Sequence, residues 1–305
     1  MQKEKLKGHL AIAAAYTIFG LNVVFNKDIA NAGVISPMVL FTLRALGASA
    51  IFLLVSFFLP KEKVAKEDLP RIAMASMVGL FVPQLTFLYA ITMSTAIDTT
   101  IMGTLGPIFT MIFAFFFLKE PITIKKAGGV ALSFAGVLFL IFHSVYSGGA
   151  SSSSPIGIAL LLINSISFSL YLGVFRPLIS RYSVVTFMKW TFLFALLASL
   201  PFSLGSLVET DFSAISRRVW LEIGFLIIFA TFVAYFLIPL GQKRIRPTLV
   251  SLYAYIQPVI AAGISIMTGI DSLNWQKIVA IILIAGGVIM VSLSRAASEG
   301  RQTQP

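Results

Sequence analysis

With 305 residues, 58% of them apolar and only 11% charged, the chain cannot clothe a water-soluble domain of its size in polar surface. A net charge of +11 would suit a nucleic-acid partner. The basic residues, however, are split among short segments instead of forming one face, which excludes that partner. There is no cysteine, so neither a disulfide nor a thiolate site can be built.

Apolar runs of roughly 20 residues, the length that crosses a bilayer as a helix, lie at 10–30, 37–59, 72–93, 95–118 and 127–145. Five more follow at 155–175, 184–204, 219–240, 248–268 and 278–293. The first run follows Lys3, Lys5 and Lys7 as a signal peptide would. It is too long for one and has no cleavage pattern before Lys27, so it reads as a retained helix. Between the fifth and sixth runs stands SGGASSSSP (147–155), a flexible polar linker. The expected organisation is a first five-helix repeat at 1–146, the linker at 147–155, and a second five-helix repeat at 156–305.

The repeat rests on matched positions. Shifting the chain by about 151 residues lays Pro107 on Pro258, Glu120 on Asp271, Thr123 on Asn274, Lys126 on Lys277 and Gly136 on Gly287. Nearer the start of each half the shift is about 149, placing Gly8 on Gly157, Phe19 on Phe168 and Lys27 on Arg176. Five crossings are an odd number, so the second repeat is inserted the opposite way up. The fold class expected is an all-α membrane protein with ten transmembrane helices in two inverted five-helix repeats, an arrangement shared by many secondary transporters.

Alternate loops differ sharply in positive charge, which is retained on the cytoplasmic side. One set holds Lys3, Lys5 and Lys7, then Lys61, Lys63, Lys66 and Arg71, then Lys119, Lys125 and Lys126, then Arg176 and Arg181, then Lys243, Arg244 and Arg246, and finally Arg295 and Arg301. The other set holds Arg217, Arg218 and Lys277. Both termini are therefore expected in the cytoplasm and the linker outside.

Several segments together resemble the drug/metabolite transporter superfamily in its bacterial EamA-type branch, over nearly the whole chain. They are FGLNVVFNK (19–27), SPMVLFTLR (36–44), GPIF at Pro107, LKEPIT at Glu120, AGVLFL around Gly136, and the later IQP, GID and AGGV. The chain departs from that pattern at Phe19, where the family often has Trp, and at Lys119-Glu120, where it often has a Gly-Glu pair. The resemblance implies a plasma (inner) membrane exporter of small molecules, with a small-molecule substrate and membrane lipid as its partners.

Within the helices, polar residues face inward in lipid and mark candidate substrate contacts. They are Asn22 and Asn26 one turn apart, Gln84, Tyr89, Tyr171, Tyr235, Tyr253, and Gln257 beside Pro258. Arg44 stands about 10 Å into its helix at 1.5 Å per residue, too deep to snorkel easily, and serves either the scaffold or a substrate anion. Lys27 and Lys189 are shallow enough for their stems to reach the interface. Pro107 and Pro258 break their helices, freeing the carbonyls of Gly103 and Ala254, and are read as hinges lining a cavity. Glu120 and Asp271 precede the N-cap residues Thr123 and Asn274 and are read as structural. Gly128, Gly129, Gly286 and Gly287 are assigned to close helix packing.

The sequence offers no acid pair, His cluster or nucleophile with its base. An enzyme, a metal and a cofactor are therefore not expected. Deep carboxylates are scarce, since Asp28, Asp98 and Glu222 lie near helix ends, so the cavity is expected to be neutral to positive. The expected function is a secondary transporter, an exporter of small polar or amphipathic metabolites such as amino acids, as a monomer or weak homodimer. Alternatives are a proton-coupled multidrug exporter and, further off, a channel or intramembrane enzyme.

Topology is tested by single cysteines placed at Lys63 and Ser152 in this cysteine-free chain. An impermeant thiol reagent applied to intact cells is expected to label Ser152→Cys and not Lys63→Cys. The opposite labelling reverses the orientation.

Overall fold

A computed structural model describes residues 2–94, 99, 102–146, 154–267 and 275–293. The described residues are overwhelmingly helical. They form α1 (Gln2–Ala32), α2 (Pro37–Phe57), α3 (Leu69–Met93), α4 (Gly106–Leu118), α5 (Ile124–Tyr146), α6 (Pro155–Val174), α7 (Arg176–Arg181), α8 (Val184–Glu209), α9 (Arg217–Gln242), α10 (Pro247–Leu252), α11 (Ile256–Met267) and α12 (Trp275–Ser292). Among these, α1, α2, α3, α6, α8 and α9 are each long and apolar enough to cross a membrane. Asp98, Asp271, Asn274 and most of the linker (147–153) fall outside the described residues.

Helix starts are dictated locally. Ser36, Ser154, Ser183 and Ser216 each sit in extended backbone and accept a hydrogen bond from the N–H three residues on, at Val39, Gly157, Thr186 and Val219. In α2 and α6 a proline follows the serine, where its missing N–H leaves no helical bond unmade.

Two of the expected spans are broken near the prolines read as helix breakers. The run 95–118 contains a turn at Thr104 and Leu105, and α4 begins at Gly106 with Pro107 in its first turn. The run 248–268 divides into α10, a 3₁₀ turn (Tyr253–Tyr255) and α11, again with proline, Pro258, in the opening turn. Proline cannot donate to the carbonyl four residues earlier, so each helix restarts instead of continuing. Two further helices are wider than α over part of their length. Met77–Phe81 in α3 and Leu226–Val233 in α9 are π-helical. These lie about 149 residues apart, the same offset that aligns the starts of the two halves.

Packing pairs α2 with α8, α5 with α12, α6 with α3 and α4, and α1 with α9 and α11. Glycines permit the closest of these. A Cβ on Gly129 would stand 2.7 Å from the Gly287 carbonyl oxygen, and one on Gly287 would overlap the Gly129 carbonyl, so α5 and α12 meet backbone to backbone. There Ser133 Oγ donates to the Ile284 carbonyl at 3.2 Å. Gly79, in the π segment of α3, leaves room for the ring of Tyr171.

Of the two cations expected to snorkel, Lys27 has carbonyl partners. Lys27 Nζ donates to the carbonyls of Ile91 and Ser94 at 2.9 and 3.1 Å, closing the C-terminus of α3. Its match in the later half, Arg176, donates from Nε to the Gln242 carbonyl at 2.9 Å, at the C-terminus of α9. Each thus sits at the negative end of a helix dipole and satisfies carbonyls that have no helical donor. Lys189 is half-buried.

Glu120 lies between α4 and α5. Its Oε2 accepts from Lys126 Nζ at 2.6 Å and from Thr248 Oγ1 at 3.4 Å, and the Lys126 side chain is only 2% exposed. Thr123 caps α5 by accepting from the Lys126 N–H at 3.2 Å. Just before Glu120, Lys119 ends α4 with φ +53°, the left-handed conformation that L side chains disfavour and glycine adopts freely. The departure from a Gly-Glu pair therefore falls where glycine fits best. Lys119→Gly is expected to stabilise the purified protein by about 0.5–1 kcal/mol, the left-handed strain of ~1–2 kcal/mol less the extra unfolded-chain entropy. Lys119→Val is expected to lower the melting temperature, since a β-branched residue fits this region worst.

Asp68 is buried just ahead of α3. It accepts hydrogen bonds from Tyr182 Oη at 2.7 Å, Arg181 Nη1 at 3.2 Å and Arg71 Nη1 at 3.2 Å. These partners, Tyr182 foremost, hold its carboxyl below the usual carboxylate range. A depressed folded pKa contributes stability above the unfolded value of about 3.9 and loses it as pH falls through the folded value. Asp68→Asn is therefore expected to melt below wild type at pH 7, with the gap closing as the pH is taken under about 4. A gap that persists unchanged at acid pH would locate the effect elsewhere.

Candidate functional site

The two helix breaks abut a cavity of about 140 Å³ that draws its lining from both halves of the sequence. Its volume is well above the roughly 10–15 Å³ that one water needs. Two helices supply half of the lining residues, each by one face at helical spacing. They are α1 through Tyr16, Phe19, Gly20, Asn22 and Val23, and α6 through Leu161, Asn164, Ser165, Phe168, Ser169 and Leu172. Arg44 enters from α2, Pro83, Gln84 and Phe87 from α3, and Tyr235 from α9. The broken segments complete the lining with Thr99, Gly103 and Gly106 on one side and Ser251, Ala254 and Gln257 on the other.

Side chains of α6 make the breaks tolerable in an apolar setting. Ser165 Oγ donates to the Met102 carbonyl at 2.7 Å, Ser169 Oγ to Gly106 at 2.9 Å, and Asn164 Nδ2 to Pro83 at 2.6 Å. In the π segment of α3 the carbonyl of Val78 takes a hydrogen bond from Ser167 at 2.7 Å. Backbone acceptors beside these irregularities thus gain side-chain donors, which burial away from water favours.

Arg44 is 3% exposed. Its Nε donates to Thr231 Oγ1 at 2.9 Å, and Thr231 in turn donates to the Leu226 carbonyl five residues back, inside the π segment of α9. No carboxylate pairs with Arg44 among the described residues, and none there lines the cavity. Gln84 is buried, and both ends of its amide lack a hydrogen-bond partner. The Tyr235 hydroxyl stands close to both the Gln84 amide and Arg44. Its ring is fixed edge-on against Phe19 at 5.6 Å and Phe192 at 5.7 Å.

Of the candidates read from sequence, the cavity gathers Asn22, Arg44, Gln84, Tyr235 and Gln257. Asn26 stands one turn behind Asn22 and donates to its carbonyl at 2.6 Å and to its Oδ1 at 2.9 Å, orienting it. Tyr171 is packed between Phe168 and Phe175 against Gly79. Tyr253 is hydrogen-bonded to His9 Nδ1 at 2.8 Å, and Tyr89 is half-buried outside the lining. Pro107 and Pro258 are buried behind the wall, while Gly103 and Ala254, the residues four positions before them, line it. Sequence reasoning missed Tyr16, Asn164, Ser165, Ser169 and Ser251. The polar residues of α6 carried a legible signal, since 164, 165 and 169 share one face of an otherwise apolar helix.

A family model described as the EamA-like transporter family matches residues 6–142 and again 155–293. The uncharacterized transporter YetK of Bacillus subtilis is 24% identical over 302 residues, covering 96% of this chain and 89% of that one. The uncharacterized inner membrane transporter YicL of Salmonella typhimurium is 26% identical, covering 94% and 95%. A solved crystal structure superposes with a TM-score of 0.75 at 17% identity, covering 95% of this chain and 98% of that one, which is a likeness of fold.

Proposed function

The chain belongs to the EamA-like transporter family, and on that premise we propose that it is a secondary exporter working by alternating access between two inverted five-helix halves. The substrate in this reading is a small polar or amphipathic metabolite such as an amino acid. The membrane is the bacterial inner membrane, with both termini cytoplasmic. The observation that carries the proposal is the central cavity, walled by α1, α2 and α3 on one side of the sequence and by α6, α9, α10 and α11 on the other. A substrate held there touches both halves, so rocking one against the other changes which side it can leave by.

Further features support the pairing of the halves. The π segments begin about 149 residues apart, and Lys27 and Arg176, at the same offset, each close the C-terminus of α3 and α9 respectively. Ser133 and Ile284, which join α5 to α12, are separated by 151 residues, the offset of the later elements. In this reading the breaks at Thr104–Leu105 and Tyr253–Tyr255 are the hinges. They abut the cavity, and the backbone there bends without first breaking an intact helical ladder.

Counter-flow in proteoliposomes tests the reading, because only a carrier exchanges labelled for unlabelled substrate at a saturable rate. Pro107→Ala and Pro258→Ala restore an N–H able to bond Gly103 or Ala254 and are expected to slow exchange several-fold with folding retained. Wild-type exchange rates in both variants would remove the hinges from the mechanism. Uptake of quaternary ammonium compounds alone, driven by a proton gradient, would replace the metabolite reading with a multidrug exporter.

A further inference from the structure

We propose that the central cavity selects a net anion: a small monocarboxylate carrying a neutral hydrogen-bonding group beside the carboxylate, such as an N-acyl amino acid or a hydroxy acid, in preference to a free zwitterion. The inference rests on the transporter reading and narrows it to a charge class.

Arg44 supplies the first argument. It is a buried cation within a membrane-spanning helix, and one of its three nitrogens is hydrogen-bonded, to the neutral hydroxyl of Thr231. Its terminal nitrogens have no protein acceptor among the described residues, and they belong to a side chain that lines the cavity. A buried charge without a counter-charge is costly. A carboxylate in the cavity can accept two parallel N–H bonds from those nitrogens and neutralise the site. A zwitterion brings its own ammonium, and the described lining offers that group only neutral acceptors such as Asn22, Asn164 and Gln257. Binding it would leave one positive charge in excess.

Gln84 supplies the second argument independently. Both ends of its amide are buried and unpartnered at the cavity wall, which is unfavourable unless something in the cavity both donates and accepts. Tyr235 lies beside both Arg44 and Gln84, so the anion and the neutral group must be close together on the ligand. An amide or hydroxyl adjacent to the carboxylate meets that requirement. Phe19, Phe87 and Phe168 leave apolar wall for a short aliphatic side chain.

The test is ligand binding to the purified full-length protein by isothermal titration, with N-acetylalanine, lactate, propionate, alanine and tetramethylammonium. N-acetylalanine and lactate are expected to bind at least ~10-fold more tightly than alanine, about 1.4 kcal/mol by the standard conversion, with no binding of tetramethylammonium. Arg44→Gln is expected to erase the preference for anions over alanine. Should that variant fail to fold, Gln84→Met carries the test. It is expected to bring N-acetylalanine to within about twofold of propionate while propionate keeps its wild-type affinity, a selective loss unlike that of a distorted site. Asp98 is outside the described residues, so Asp98→Asn is included and is expected to preserve the anion preference. Its loss there would show that the protein supplies Arg44 with a counter-charge and would overturn the proposal. Alanine or tetramethylammonium binding as well as the anions, or failure of every ligand to bind, would also overturn it. Counter-flow separates the two readings. Anion binding without exchange sinks transport and keeps the site, whereas exchange of other solutes without anion binding sinks the site and keeps transport.

Discussion

In hydrocarbon a backbone N–H or C=O has no water to turn to, and an unmet one costs several kcal/mol. That constraint governs where this chain can depart from a regular helix. Prolines at 83, 107 and 258 and the two π segments all disturb the helical ladder. Four of these disturbances are answered nearby: Ser167 meets Val78, Asn164 meets Pro83, Ser165 and Ser169 meet Met102 and Gly106, and Thr231 meets Leu226. Three of the five donors belong to the polar face of α6 that also lines the cavity. Polar satisfaction and cavity construction are therefore the same event.

The cavity's electrostatics follow from how few charges the fold admits there. Several other cations near the membrane-spanning helices are occupied. Lys27 and Arg176 close helix ends, Lys126 is paired with Glu120, and Arg218 bridges Asp28 and Glu222. Arg44 alone among the described lining residues carries a full charge, and its protein partner is a hydroxyl. Aromatic packing holds the surroundings in place: Tyr16, Phe19, Tyr235 and Phe192 form successive edge-on contacts across α1, α9 and α8. Rigid, orienting walls of this kind reduce the freedom a small ligand must remove on binding.

Contacts between distant parts of the sequence bind the assembly together. The hydrogen bond from Arg44 to Thr231 spans 187 residues, and the one from Thr248 to Glu120 spans 128. The α5–α12 crossing depends on two glycines whose carbonyls occupy the space of the absent Cβ atoms. Substitution of either by a larger residue must separate the helices, because the obstructing atoms are backbone. Tyr171 shows the converse case. Its ring fills the room left by Gly79, so a polar residue that resembles a binding group has been absorbed into helix packing.

The sequence by itself determined the membrane environment, the helices begun by serine and proline, the family, and the breaks near Pro107 and Pro258. All of these follow from composition or from rules acting within a few residues. It also placed Asn22, Arg44, Gln84, Tyr235 and Gln257 among the candidates, because polar groups are rare and expensive on apolar helices. Only the tertiary structure decided which of them share one cavity. Tyr171, Tyr253 and Tyr235 are equivalent in sequence terms, yet they meet Gly79, His9 and the cavity respectively, since a tyrosine's role depends on what faces it from another helix. Lys27 and Arg176 matched by offset, but their work as helix caps required the ends of α3 and α9 to arrive beside them. Local propensity and solvent preference are written along the chain, whereas the partner of a side chain is fixed only when helices far apart in sequence pack together.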